Sequence, residues 1–218
     1  MALNKLKFNS INVTPAASEA LKFNSSADGF ETGAAGGAMT FISKATASSS
    51  STISITSGID STYKEYIFYF NNIHPATNSV QFSFQASTDS GSSYGVTATT
   101  SLFRAIHNEA DSETSLSYMS NDDYAQSTSF LTINNFLSNE DDMCLGGGFL
   151  HLFNPSSTTF VKHFISRTSA NHGTSSSVYE FDYYTAGYFN TTSAIDAIQF
   201  KMSSGNIDSG TITLYGIT

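Results

Sequence analysis

The feature that most limits what this chain can become is a strict alternation of apolar with hydroxyl-bearing or amide-bearing residues. Thr52-Ile53-Ser54-Ile55-Thr56 and Val80-Gln81-Phe82-Ser83-Phe84-Gln85 set each apolar side chain two residues from the next. That period puts the apolar side chains on one face of a strand, whereas a helix would scatter them around its axis. Residues 96–102, 130–133, 146–153 and 159–165 also read as strands, as does an aromatic stretch over 178–189. Tyr66-Ile67-Phe68-Tyr69-Phe70 is denser and reads as a strand buried on both faces. Residues 71–78, with Pro75 among them, read as its break. Gly146-Gly147-Gly148 marks a bulge or a close backbone approach. The chain closes in what reads as a hairpin, 197–202 and 211–217 around Ser203-Ser204-Gly205-Asn206. No segment has a helical period with caps, although 109–118 has room for a turn or two of helix. Eight or so strands separated by turn signals predict an all-β fold, a jelly-roll-like antiparallel β-sandwich.

Composition narrows the function classes. Of 218 residues only 12% are charged, about half the ~25% usual in soluble proteins, and 62 Ser and Thr residues take their place. The 18 Phe and 11 Tyr supply a core, which excludes disorder of the whole chain. The net charge is -9 and Lys and Arg do not cluster, so nucleic acid is not an expected partner. Cys144 is the single cysteine, which excludes an intrachain disulfide and a CxxC metal site. No run approaches the ~20 apolar residues of a membrane span, so insertion into a membrane is not expected. Met1-Ala2-Leu3-Asn4-Lys5-Leu6-Lys7 is not followed by a long apolar stretch, so no secretory leader is expected. A chain suited to an exterior, without an export signal, fits assembly in a cytoplasm and release by lysis.

The first 39 residues differ from the rest. Leu6-Lys7-Phe8-Asn9-Ser10 recurs as Leu21-Lys22-Phe23-Asn24-Ser25. Each copy offers two or three apolar side chains, too few to offset the ~1–2 kcal/mol per residue of backbone ordering. Such an arm needs a partner surface, either its own copies around a symmetry axis or a neighbouring protein. The expected plan is an extended arm over residues 1–39 and a sandwich head over 40–218. Leu6, Phe8, Leu21 and Phe23 are the arm's anchoring residues, and a homotrimer is the expected assembly.

The chemistry-bearing patterns are sparse. Gly91-Ser92-Ser93-Tyr94-Gly95 matches the G-x-S-x-G nucleophile elbow, but the β-branched run Val96-Thr97-Ala98-Thr99-Thr100 follows where the elbow needs a helix. No catalytic residue is assigned. The five histidines, His74, His107, His151, His163 and His172, lack metal-ligand spacing, though His151 and His163 lie on separate strands that could meet. Acidic loops at Asp111-Ser112-Glu113, Asp122-Asp123 and Glu140-Asp141-Asp142 carry oxygens of the kind calcium takes, but without EF-hand spacing, and read first as solubilising loops. No metal and no cofactor are expected. The lead is aromatic: Tyr179, Tyr183, Tyr184 and Tyr188 lie close together, with Asp182 and Asn190 among or beside them. Tyrosine faces stack on sugar rings while Asp and Asn bind hydroxyls; tyrosine also serves protein interfaces and cores.

Three stretches carry a resemblance. The arm over residues 6–37, the segment Phe84-Gln85-Ala86-Ser87-Thr88-Asp89-Ser90-Gly91-Ser92-Ser93-Tyr94, and the closing residues 203–218 resemble small structural proteins of tailed bacteriophages, particularly those of marine bacteria. Together they touch a third of the chain. The resemblance implies a non-enzymatic virion surface protein, homotrimeric, in contact with other virion proteins of tail or capsid. Its leading form is a short tail fibre or receptor-binding protein attaching to a host surface glycan. The alternative is a capsid decoration protein, and a polysaccharide-degrading enzyme ranks behind both.

Overall fold

The structure, a computed structural model, describes residues 19–34, 38–174 and 177–218. Every regular element among them is a β-strand, and every strand pair is antiparallel. The chain forms two compact units, Met1–Ala38 and Met39–Thr218.

In the first unit β1 (Glu19–Phe23) pairs with β2 (Phe30–Ala34) as a hairpin. Alternation gives it two unlike faces. Leu21, Phe23 and Phe30 are exposed together, with the Phe23 and Phe30 rings stacked at 4.9 Å. Lys22 and Glu31 form an ion pair at 3.3 Å on the other face. Leu6 and Phe8, of the first repeat copy, lie outside the described residues.

The second unit is a sandwich of two sheets. The larger has eight strands in the order β3 (Met39–Thr46), β14 (Ile207–Ile217), β5 (Glu65–Pro75), β10 (Leu145–Phe153), β11 (Lys162–Thr174), β12 (Ser177–Phe189), β7 (Ala98–Asn108) and β8 (Thr114–Tyr118). The smaller has β4 (Ile53–Ile55), β13 (Ala197–Met202), β6 (Val80–Ser87) and β9 (Leu131–Leu137). The sandwich follows from the alternation: the strands turn most of their apolar residues to one side, and two such faces close on each other.

Phenylalanine fills the space between the sheets. Phe200 of β13 lies 5.6 Å from Phe68 and 5.5 Å from Phe70, both on β5 of the opposite sheet, and stacks on Phe82 at 5.8 Å. Phe84 meets Phe164 and Phe189 at 5.1 and 5.9 Å. Burying each such ring contributes about 1.5–3 kcal/mol. Polar side chains cross between the sheets as well: Thr185 donates to the Thr132 carbonyl, and Asn134 donates to Thr168. Lys162 is buried, its ammonium donating to the carbonyls of Phe160 and Thr191, and burial pulls its pKa down.

Several expectations are corrected. The closing segment is no hairpin within one sheet, because β13 and β14 belong to different sheets. The Ser203–Asn206 turn is a corner, which lets Phe200 and Met202 bury from one side and Ile212 and Leu214 from the other. Strand β5 is not buried on both faces: Tyr66, Phe68 and Phe70 enter the core, whereas Ile67 and Tyr69 face outward and are half-buried. It also runs through Asn71 to Pro75, with Asn72 at a positive φ of 49° absorbing the irregularity. Part of 109–118 is strand β8 rather than helix. Gly146 does sit at a register shift, and Gly148 allows a close approach, since a Cβ there would lie 2.5 Å from the Arg167 carbonyl oxygen.

Candidate functional site

Period two along β12 sorts the tyrosine cluster onto two faces. Phe181, Tyr183, Thr185 and Phe189 are buried on the inner side. Asp182, Tyr184, Ala186 and Tyr188 point out from the eight-stranded sheet.

Tyr183 belongs to a small second core with Leu102 and Phe181, against which Tyr179 also packs. The Tyr183 hydroxyl accepts from Arg104 Nη1 at 3.0 Å, and burial pushes its pKa up. The Tyr179 hydroxyl donates to Glu113 at 2.8 Å. Tyr183 is thus buried in that core, and Tyr179 is half-buried at its edge.

The outward residues build two rigid groups. In the first, Tyr184 stands between its neighbours on both sides, Phe103 of β7 and Arg167 of β11, which are its direct cross-strand partners. The Phe103 ring stacks on Tyr184 at 4.7 Å and 5°, and the Arg167 guanidinium lies 4.9 Å from the Tyr184 ring centre. Asp182 closes the group: it accepts from Arg167 Nε at 3.1 Å and Nη2 at 2.7 Å, and from the Tyr184 hydroxyl at 3.0 Å. Removal from water and then this carboxylate hold the Tyr184 pKa up, and the same carboxylate raises that of Arg167. The row continues through Phe149 of β10 to Tyr69 of β5, whose rings lie 6.5 Å apart.

The second group gathers at Tyr188. His163 of β11 faces it, rings 5.8 Å apart. Gln126 reaches in from a loop, donating to Thr99 at 2.8 Å and to the Tyr188 hydroxyl at 3.4 Å. Asn190 donates to Gln126 Oε1 at 2.7 Å. Tyr184 and Tyr188 are four residues apart on one strand, hence about 13 Å.

Between the groups lies a trough. Its floor is Ser101, Ala186 and Ile165, directly opposite one another on β7, β12 and β11. A depression of about 300 Å³ lies against Phe103, Phe149, Arg167 and Tyr184. Another of about 370 Å³ lies against His163 and Tyr188, and the three floor residues line both. On the far side of the Tyr184 row, a third depression of about 310 Å³ opens over Gly147 and Gly148, edged by Arg167, Glu180 and Asp182. Asp182, Tyr184, Tyr188 and Asn190 thus bound one surface, and Tyr179 and Tyr183 do not. The sequence reading missed Phe103, Phe149, Ile165, Arg167 and Gln126. Alternation along β11, with His163, Ile165, Arg167 and Ser169 all exposed, is the signal that marks two of them, Ile165 and Arg167.

The other sequence patterns resolve structurally. Ser93 of the G-x-S-x-G match donates to Asp89 at 2.5 Å within a turn, and a strand follows. Hydrogen bonds from Ser87 and Ser93 hold the Asp89 carboxyl down at about 2. That turn borders a polar cleft of about 420 Å³ that also includes Asn190, but none of its lining residues is a histidine or a carboxylate. His151 sits 3.0 Å from Glu65, whereas His163 lies against Tyr188. Asp122 is not a solvated loop residue but is buried, accepting from Gln81 and Asn135. Among the described residues no group of three or more His, Cys, Asp or Glu gathers to hold a metal.

Comparison with known proteins finds no matching family model, no matching curated protein and no matching solved structure.

Proposed function

We propose that this chain is a non-enzymatic virion surface protein whose β-sandwich head attaches to a host surface glycan through the outer face of its eight-stranded sheet. The observation that carries the reading is the trough over Ser101, Ala186 and Ile165, bounded by the Tyr184 and Tyr188 groups. Its walls are held in place before any ligand arrives: Tyr184 is clamped by Phe103, Arg167 and Asp182, and Tyr188 is tied to Gln126. Pre-ordered aromatic walls raise affinity by lowering the entropy lost on binding. A buried-looking aromatic set that stays on the surface is more readily explained by a ligand than by stability.

The virion setting rests on the resemblance of the arm, the 84–94 turn and the closing segment to phage structural proteins. The arm supplies the trimer. A lone two-stranded hairpin is marginal in water, and the exposed face of Leu21, Phe23 and Phe30 needs cover, which two further copies of the same hairpin provide. Three heads on one axis let weak glycan affinities add up. The second reading, capsid decoration, draws on exposed Leu116 and Tyr118 of the edge strand β8, a surface suited to burial against a neighbouring capsid subunit. Antibody-gold labelling of intact virions separates the two. Gold at the tail favours attachment, gold over the head favours decoration, and no gold on particles with an accessible epitope overturns the virion setting.

A further inference from the structure

We infer that the trough takes an uncharged sugar chain laid across the strands, an assignment that rests on the attachment reading above. The direction comes from the floor. Ser101, Ala186 and Ile165 are register partners on three adjacent strands, so the depression crosses the sheet. A ligand lying in it meets a new strand about every 4.8 Å, an arrangement suited to a chain of similar units.

The chemical class comes from the walls and floor. The floor offers a methyl, a branched alkyl group and one small hydroxyl, while the rims offer the Tyr188 hydroxyl, the His163 imidazole and the Arg167 guanidinium. That pairing of an apolar base with polar edges complements a sugar ring, which has C–H faces and a girdle of hydroxyls. The charge balance excludes an acidic chain. Among the described residues, Arg167 is the one cationic side chain lining the trough beside His163, and Asp182 already binds it through two hydrogen bonds. An acidic sugar that sought Arg167 would have to displace Asp182, whose carboxylate holds the guanidinium from the far side of the Tyr184 row. A cation already paired in this way gives an anionic ligand no net attraction and leaves a neutral one unaffected.

The test is affinity electrophoresis of the full chain in native gels containing neutral polysaccharides (hydroxyethylcellulose, laminarin, dextran) or acidic ones (alginate, polygalacturonate). Ala186→Arg serves as the trough-filling variant, chosen because Ala186 is exposed and outside the core. The expected result is retardation by at least one neutral polysaccharide, insensitive to added salt, and weakened about tenfold by Ala186→Arg. Retardation by the acidic polymers alone, abolished by the same variant, overturns the neutral assignment and leaves the attachment reading standing. Retardation by none of them, with the variant equally indifferent, overturns both. A change of oligomeric state in Ala186→Arg, seen by light scattering, also overturns the assignment, because the trough would then be a contact between copies.

Discussion

Phe103 and Tyr184 stand directly opposite each other on β7 and β12, with ring planes 5° apart at 4.7 Å. That separation matches the ~4.8 Å spacing of neighbouring strands, so the sheet itself sets the stack. Arg167 extends it on the next strand, with its own carboxylate partner. The outer face therefore carries a wall whose side chains have little left to order on binding.

Replacing that wall should separate binding from stability. Tyr184→Ala removes the middle of the stack on the outer face and leaves the inter-sheet core whole. Glycan binding is expected to fall about tenfold or more. The melting temperature, read by circular dichroism, should move by only a few degrees. A large drop in melting temperature would make Tyr184 a folding residue instead.

The core predicts the converse. Phe200 is fully buried and touches rings from both sheets. Phe200→Ala should cost about 3–5 kcal/mol in urea unfolding, through lost transfer energy and the cavity left behind. A cost below about 1 kcal/mol would mean that the sheets close without it.

Acid should reach the 87–95 turn late. Asp89 accepts from Ser87 and Ser93, and its carboxyl is held at about 2, below the ~3.9 of an unfolded aspartate. A depressed folded-state pKa gives stability that is present above about pH 4 and is lost as pH falls towards 2. The Asp89 carboxyl resonance should titrate with its midpoint near 2. A midpoint near 4 would show that the serine contacts do not persist in solution.

The arm should be separable from the head. Removing residues 1–38 is expected to leave the melting temperature of the sandwich unchanged and to reduce a trimer to a monomer in light scattering. Phe23→Ser should have the same effect on mass with the chain at full length. A truncated chain that stays trimeric would place the trimer contacts in the head.

Much of the architecture was legible because alternation is a local property. Ile53 and Ile55, or Phe82 and Phe84, announce a strand and its buried face without reference to any partner. Tyr69 shows where that logic stops: an aromatic on the outer face looks, in sequence, the same as Phe68 in the core. The 203–206 corner shows a second limit, since the same turn residues serve a hairpin and a crossing between sheets. Half of the site was legible for a related reason. Asp182, Tyr184 and Tyr188 share a strand face at spacings of two and four, whereas Phe103 and Arg167 join them only through the registers of two other strands.

The most direct measurement is binding of the full chain and of Ala186→Arg to a printed array of bacterial surface glycans. The account predicts at least one glycan bound by the native chain and lost, about tenfold or more, in the variant, with the two melting temperatures matched. Binding that is absent from the native chain, or unchanged when the trough is filled, would contradict it.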